Sequence, residues 1–175
     1  PVQKNHSALG LGNALVDILM PLESNDILNE LELPPGSMTL VDENKAKRIL
    51  ERTAGLPRRY ASGGSAANTL HGIASLGMKA GYIGSVGNDE LGEVFKKSME
   101  SQGVRLHLNH SPVSTGTAIT FISPGGERTF ATYLGAATQL KPQHIPAEAI
   151  SSLISGFTDP LAEIVNTLLS VSYTH

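Results

Sequence analysis

The stretch Ser62-Gly63-Gly64-Ser65-Ala66-Ala67-Asn68 (SGGSAAN) sets a glycine pair against the start of an apolar helix. Two glycines let the backbone come within hydrogen-bonding distance of a ligand, because no Cβ intervenes. The helix predicted over residues 65–76 would aim its unpaired N–H groups and positive dipole end at whatever lies over Gly63 and Gly64. Asn68 adds an amide that both donates and accepts, which suits a hydroxyl-rich molecule. A tight turn with ordinary capping by Ser65 would account for the same residues, so the neighbouring elements must decide.

Upstream, residues 8–11 begin a buried strand, and the apolar pattern resumes over 14–20 with Asp17 interrupting it. Residues 25–31 predict a short helix stopped at Leu33-Pro34-Pro35-Gly36, and 38–41 a short strand. Asp42 is placed to cap a helix reaching about Arg52, with Ala46, Ile49 and Leu50 on one face. Downstream of the glycine pair come a strand over 80–86 and a helix over 89–101, capped by Asn88 and closed by Gly103. Strands alternating with helices of this length predict an α/β fold with a largely parallel sheet. After Val104 the pattern changes: 104–109, 115–122 and 128–134 read as three strands without helices between them. These predict a small antiparallel sheet attached to the main one as a lid. Residues 141–153 return to helix, with Pro146 a point of interruption.

The chain has 175 residues, 40% of them hydrophobic, enough for one domain with a substantial core. No apolar run approaches the roughly 20 residues of a membrane span, and no stretch reads as a signal peptide. The net charge is −3, and the densest basic spots, Arg58-Arg59 and Lys96-Lys97, fit a solvated surface rather than a nucleic-acid face. With no cysteine, disulfide and thiolate chemistry are excluded, and a cytoplasmic setting is expected.

Gly10-Leu11-Gly12 follows a strand, yet position 15, where a dinucleotide fingerprint needs glycine, is Leu15. Asn13 and Asp17 are the polar members of an apolar segment, and an isolated buried carboxylate is costly unless paired, hydrated or facing a ligand. A surface turn or cap explains Asp17 equally well. The acidic run Asn88-Asp89-Glu90 is accounted for by helix capping, and His107 with His110 lacks an acidic partner set for zinc. Arg128 follows a Pro-Gly-Gly-Glu turn, where it is either an exposed hairpin residue or a planar phosphate-binding fork carried by the lid.

Taken together, GNALVDI (12–18), ASGGSAANT (61–69), GYIGSVGNDELG (81–92) and TGTAITFISPGGERTFATYLGAA (115–137) resemble the ribokinase and phosphofructokinase-B family of sugar and nucleoside kinases. The first and last segments look closest to its adenosine-kinase-like branch. The resemblance implies a central α/β sheet flanked by helices, a β lid, and phosphoryl transfer from ATP with Mg²⁺ to a hydroxymethyl group of a nucleoside or sugar. It implies that Asp17, Gly63, Gly64 and Asn68 hold the acceptor's hydroxyls, that Asn13 lines the same pocket, and that Arg128 reaches the transferred phosphate. It also implies a homodimer formed through the lid. Residues 1–150 are then expected to be the N-terminal part of the kinase domain, with lid strands within about 18–41 and 104–134. The family's catalytic aspartate sits in a GAGD-type motif, which this sequence does not contain. Residues 151–175 diverge from the family, and Val171-Ser172-Tyr173-Thr174-His175 reads like translated sequencing adapter. The expectation is a truncated reading frame, inactive alone, with the ATP site mostly elsewhere. A non-catalytic sugar- or nucleoside-binding module and a non-functional fragment are the alternatives.

Overall fold

A computed structural model describes residues 8–151, whose strands divide between two sheets. In chain order the strands are β1 (Ala8–Leu11), β2 (Leu15–Pro21), β3 (Met38–Leu40), β4 (Arg59–Gly63), β5 (Ala80–Gly87), β6 (Val104–Ser111), β7 (Gly116–Ile122) and β8 (Arg128–Tyr133). The helices are α1 (Asp26–Glu30), α2 (Glu43–Arg52), α3 (Ser65–Ser75), α4 (Glu90–Ser101) and α5 (Ala147–Ser151). Two 3₁₀ turns, Gly135–Gln139 and Pro142–His144, fill the stretch before α5.

The first sheet has the order β1-β5-β6 and is parallel throughout. All eight residues of β5 are buried, as a strand covered on both faces requires. One face, with Ala80, Tyr82 and Val86, joins the main core beneath α3 and α4; the other, with Ile83, packs on Leu140, Ile145 and Ile150. The second sheet has the order β3-β8-β7-β2-β4 and is mixed. Strand β2 shows why it forms there: Val16, Ile18 and Met20 alternate into the core, leaving Asp17 and Leu19 on the opposite face. The inward set meets Ile119, Phe121 and Ala131 from its own sheet, Leu28 of α1, Ala46 and Ile49 of α2, and Phe95 and Met99 of α4.

The helix ends follow local chemistry. Asp42 caps α2 by accepting the Lys45 N–H at 2.7 Å. Asp89, one residue after the predicted Asn88, caps α4 by accepting the Gly92 N–H at 2.8 Å. Gly103, at φ 77°, turns the chain out of α4 as expected.

Several expectations change. Residues 104–109, expected to share a sheet with 115–122 and 128–134, do not join the second sheet: β6 lies parallel to β5, completing a β5-α4-β6 crossover, with Val104, Leu106 and Leu108 turned to the main core. The second sheet, where lid strands are expected from about residue 18, begins at Leu15 and includes β4, which composition concealed. The apolar segments 8–11 and 14–20 belong to different sheets, separated at Gly12-Asn13-Ala14. The helix predicted over 141–153 is split by Pro146 into a 3₁₀ turn and α5. The readings made of residues 152–175 lie outside the described residues.

Candidate functional site

The two sheets meet where the chain passes from β1 to β2 and from β4 to α3, and those crossings hold Asn13, Gly63 and Gly64, with Asp17 following on β2. Antiparallel pairing sets Leu15 opposite Gly63 and Asp17 opposite Ala61, so the Asp17 side chain stands diagonally beside Gly63 on one face. The contact is tight: a Cβ on Gly63 would overlap the Asp17 carboxylate, with even the farther oxygen only 2.8 Å away. Gly64 has φ 94° and ψ 139°, and a Cβ there would collide with the Asn13 carbonyl oxygen. Glycine is therefore required at both positions, for space at Gly63 and for both space and backbone conformation at Gly64.

Gly64, not Ser65, is the N-cap of α3, and no side chain caps it. The first intrahelical bond runs from the Asn68 N–H to the Gly64 carbonyl at 3.0 Å, leaving the N–H groups of the preceding turn without intrahelical partners. Asn68 is exposed in that first turn, while Asn13 is half-buried. The structure thus brings together Asp17, Gly63, Gly64 and the Asn13 backbone, with the open end of α3 beside them.

Arg128 begins β8, and the register places it on the Asp17 face. Asp17 pairs with Ala118; four residues further along, Pro21 pairs with Ile122, and Ile122 pairs with Arg128. Arg128 is exposed, and its charge acts on Asp17. Burial pushes the Asp17 carboxyl above its ordinary value, and the Arg128 guanidinium partly offsets that rise. A partly buried carboxylate beside glycine backbone, with a cation on the same face, is fitted to accept hydrogen bonds from hydroxyl groups.

Other motifs resolve into structure. A Cβ on Gly10 would meet Leu70 Cδ1 at 2.8 Å, and one on Gly12 would meet Ala66 Cβ at 2.8 Å. The Gly-x-Gly pair therefore lets α3 lie close on β1 rather than cradling a dinucleotide. His107 and His110 are three residues apart on β6, opposite Ile83 and Val86, and so face opposite sides of the sheet. Among the described residues no group of three or more His, Cys, Asp or Glu could hold a metal ion. The acidic turn is occupied, because Asp89 accepts from Thr115 and Gly92.

Three groups near the site escaped the sequence reading. Tyr82, fully buried, donates to the Gly12 carbonyl at 2.9 Å. Ser98 bonds Ser62, which precedes Gly63, and Thr115 bonds Asp89 at the start of α4. No sequence signal marks Ser98 or Thr115 as such, since each depends on a contact between distant segments.

Comparison with known proteins agrees with this architecture. A sequence profile described as pfkB family carbohydrate kinase matches residues 50–172. Adenosine kinase 2 of Arabidopsis thaliana is 27% identical over 141 residues, covering 78% of this chain and 40% of that protein. The crystal structure of adenosine kinase from Sinorhizobium meliloti is similar with a TM-score of 0.74 and 35% identity, over 84% of this chain and 45% of the other. A probable sugar kinase from Rhizobium etli CFN 42 has a TM-score of 0.76 and 34% identity, over 85% and 44%. The chain thus spans less than half the length of these relatives. On the profile match and the shared fold, the chain belongs to the pfkB family of carbohydrate kinases.

Proposed function

We propose that residues 8–151 form the acceptor-binding portion of an ATP-dependent kinase that phosphorylates a hydroxymethyl group of a nucleoside or sugar. The observation that carries this reading is the Asp17 carboxylate braced against Gly63 beside the uncapped start of α3. Asp17 accepts from the acceptor's ring hydroxyls, the glycine backbone and the first turn of α3 offer N–H donors, and Asn68 and Asn13 complete the polar rim. Arg128 stands on the same face, where its planar fork suits a phosphate. Phosphoryl transfer depends mainly on positioning and charge stabilisation, which is what these groups supply. Holding an attacking hydroxyl in place is worth up to about 7–11 kcal/mol.

A nucleoside is favoured over a simple sugar by an apolar strip on the Asp17 face of the sheet, on β3 beyond β8 and β7. Met38 and Leu40 pair with Phe130 and Thr132, which places them on the Asp17 face, and they are 61% and 63% exposed. Leu40 also lines a groove of about 260 Å³ with Val41, Val113, Leu134 and Gly135, a surface that a flat base would cover. The names of the adenosine kinase relatives support the same preference.

Bound ATP would supply the phosphoryl group, and Arg128 is the described residue fitted to meet its phosphates. Among the described residues no group of three or more His, Cys, Asp or Glu is gathered to hold Mg²⁺. The 175-residue chain is expected to bind acceptor without turning it over. No helix among the described residues is long and apolar enough to cross a membrane. Lid-to-lid pairing of two copies belongs to the same reading, since β3 and β4 end the lid sheet without a further strand among the described residues.

Calorimetric titration of the 175-residue chain tests the proposal. Saturable binding of adenosine, tighter than that of ribose and lost in Asp17→Ala, is expected. Adenosine binding unchanged by Asp17→Ala, or no binding of any hydroxyl-bearing acceptor, would overturn it.

A further inference from the structure

Helix α4 is tied both to the strand that precedes Gly63 and to the entry of the strand paired with β2. At its N-cap, Asp89 Oδ2 accepts the Thr115 N–H at 2.8 Å, and Oδ1 accepts the Thr115 hydroxyl at 2.6 Å and the Gly92 N–H at 2.8 Å. The Thr115 hydroxyl in turn accepts the Gly87 N–H at 2.9 Å, so the end of β5, the start of α4 and the entry to β7 are tied at one point. Thr115 is 1% exposed, which keeps water from competing. The next residue, Gly116, pairs with Leu15, and β7 then runs in register with β2 past Asp17. Asp17 is thereby referenced to Asp89.

Further along the same helix, Ser98 Oγ accepts the Ser62 N–H at 3.2 Å and donates to Ser62 Oγ at 2.9 Å. Ser62 directly precedes Gly63. Between these tethers Phe95 is fully buried, and its ring lies 5.4 Å from that of Tyr82, centroid to centroid. Tyr82 donates to the Gly12 carbonyl, immediately before Asn13. A helix rises about 1.5 Å per residue, so Asp89 and Ser98 are fixed roughly 13 Å apart along one rigid element.

We infer that α4 acts as a splint that reinforces the β2-β4 register seating Asp17 on Gly63, with Thr115 and Ser98 as positioning residues for hydroxyl recognition. The inference rests on the acceptor-site reading above. Neither side chain needs to touch the acceptor: Ser98 holds the residue before Gly63, and Thr115 holds the strand that pairs with that of Asp17. A site that reads hydroxyls with a carboxylate on one strand and backbone N–H groups on another fails when the strands slip, and misplacement of about 1 Å is costly. A charge-assisted tether such as Asp89 to Thr115 is the stronger of the two kinds.

The test compares adenosine with 2′,3′-dideoxyadenosine, which keeps the base and loses two ring hydroxyls, as ligands of the 175-residue chain. Wild type is expected to prefer adenosine. Thr115→Val should reduce that preference about tenfold and Ser98→Ala about threefold, through misplacement of the hydroxyl-binding groups alone. Thr115→Ser, which keeps the hydroxyl, should restore the preference. A merely structural role would lower the melting temperature and weaken both ligands by the same factor, leaving their ratio unchanged; that result overturns the inference. If Thr115→Val does not fold, Ser98→Ala alone decides by the same ratio. A wild-type chain that binds without preferring adenosine overturns the acceptor-site reading itself, and is distinguishable from a wild type that discriminates while its variants discriminate equally well.

Discussion

Substituting Gly63 by alanine should damage acceptor binding through Asp17 rather than through the backbone. The added Cβ would overlap the Asp17 carboxylate, whose farther oxygen would be 2.8 Å away, so the carboxylate must swing off its position. Gly63 is not among the positive-φ residues, and alanine therefore imposes no conformational strain of its own there. Hydrogen bonds to a charged group contribute about 1.5–3 kcal/mol. Losing one such bond weakens adenosine binding by about 10- to 100-fold, at about 1.4 kcal/mol per factor of ten. Crowding a packed site costs about 1–3 kcal/mol of stability, a fall in melting temperature of roughly 2–12 °C for a chain of this size. The informative comparison is the double variant. Once Asp17→Ala has removed the carboxylate, Gly63→Ala has nothing to displace, so the double variant should bind as Asp17→Ala does, within about 0.5 kcal/mol. Isothermal titration calorimetry on the four proteins completes the cycle. Additive losses, or Gly63→Ala binding at the wild-type level, would refute the claim that Gly63 exists to seat Asp17.

Other perturbations separate the remaining roles. Gly64→Ala forces a side chain onto φ 94° and into the Asn13 carbonyl, and should cost about 1–3 kcal/mol of stability; a melting temperature within a degree of wild type would contradict this. Burial raises the Asp17 pKa above 3.8, with Arg128 opposing, so its contribution favours folding below the unfolded value and is lost as pH rises through the folded one. Asp17→Asn should therefore melt higher than wild type at pH 7, with the gap shrinking toward pH 4, while losing adenosine affinity; thermal melts across that range read it, and a less stable variant at pH 7 would count against it. Arg128→Ala removes the cation that lowers the Asp17 pKa, so the acid midpoint of adenosine binding should move to higher pH; an unmoved midpoint would show that the two groups are not coupled.

Much of the scaffold was legible because it is written locally. Asp42 and its helix, the buried run of β5, and the stop at Gly103 each follow from a few adjacent residues. The glycine pair was legible as a place of close backbone approach, and its family context supplied the ligand class. Strand β4 was not legible: Arg59 and Tyr60 are exposed, and the strand runs into Ser62 and Gly63, so no alternation survives at this sheet edge. Strand β6 was misplaced because nothing in Val104 to Ser111 distinguishes a parallel partner from a hairpin; the preceding α4 crossover decides. The seating of Asp17 on Gly63 was illegible for a related reason, since it arises from antiparallel register between strands separated by two helices and β3. The Thr115 and Ser98 tethers are contacts of the same nonlocal kind.

The central claim is that Asp17, Gly63-Gly64 and the start of α3 together receive the acceptor. Amide NMR spectra of the 175-residue chain titrated with adenosine test it most directly. The account predicts that the largest shift changes fall on Gly63, Gly64, Ser65, Ala66 and Asn68, with Asp17 beside them, and that they vanish in Asp17→Ala. Saturating changes that leave the glycine pair and the first turn of α3 unmoved would contradict it.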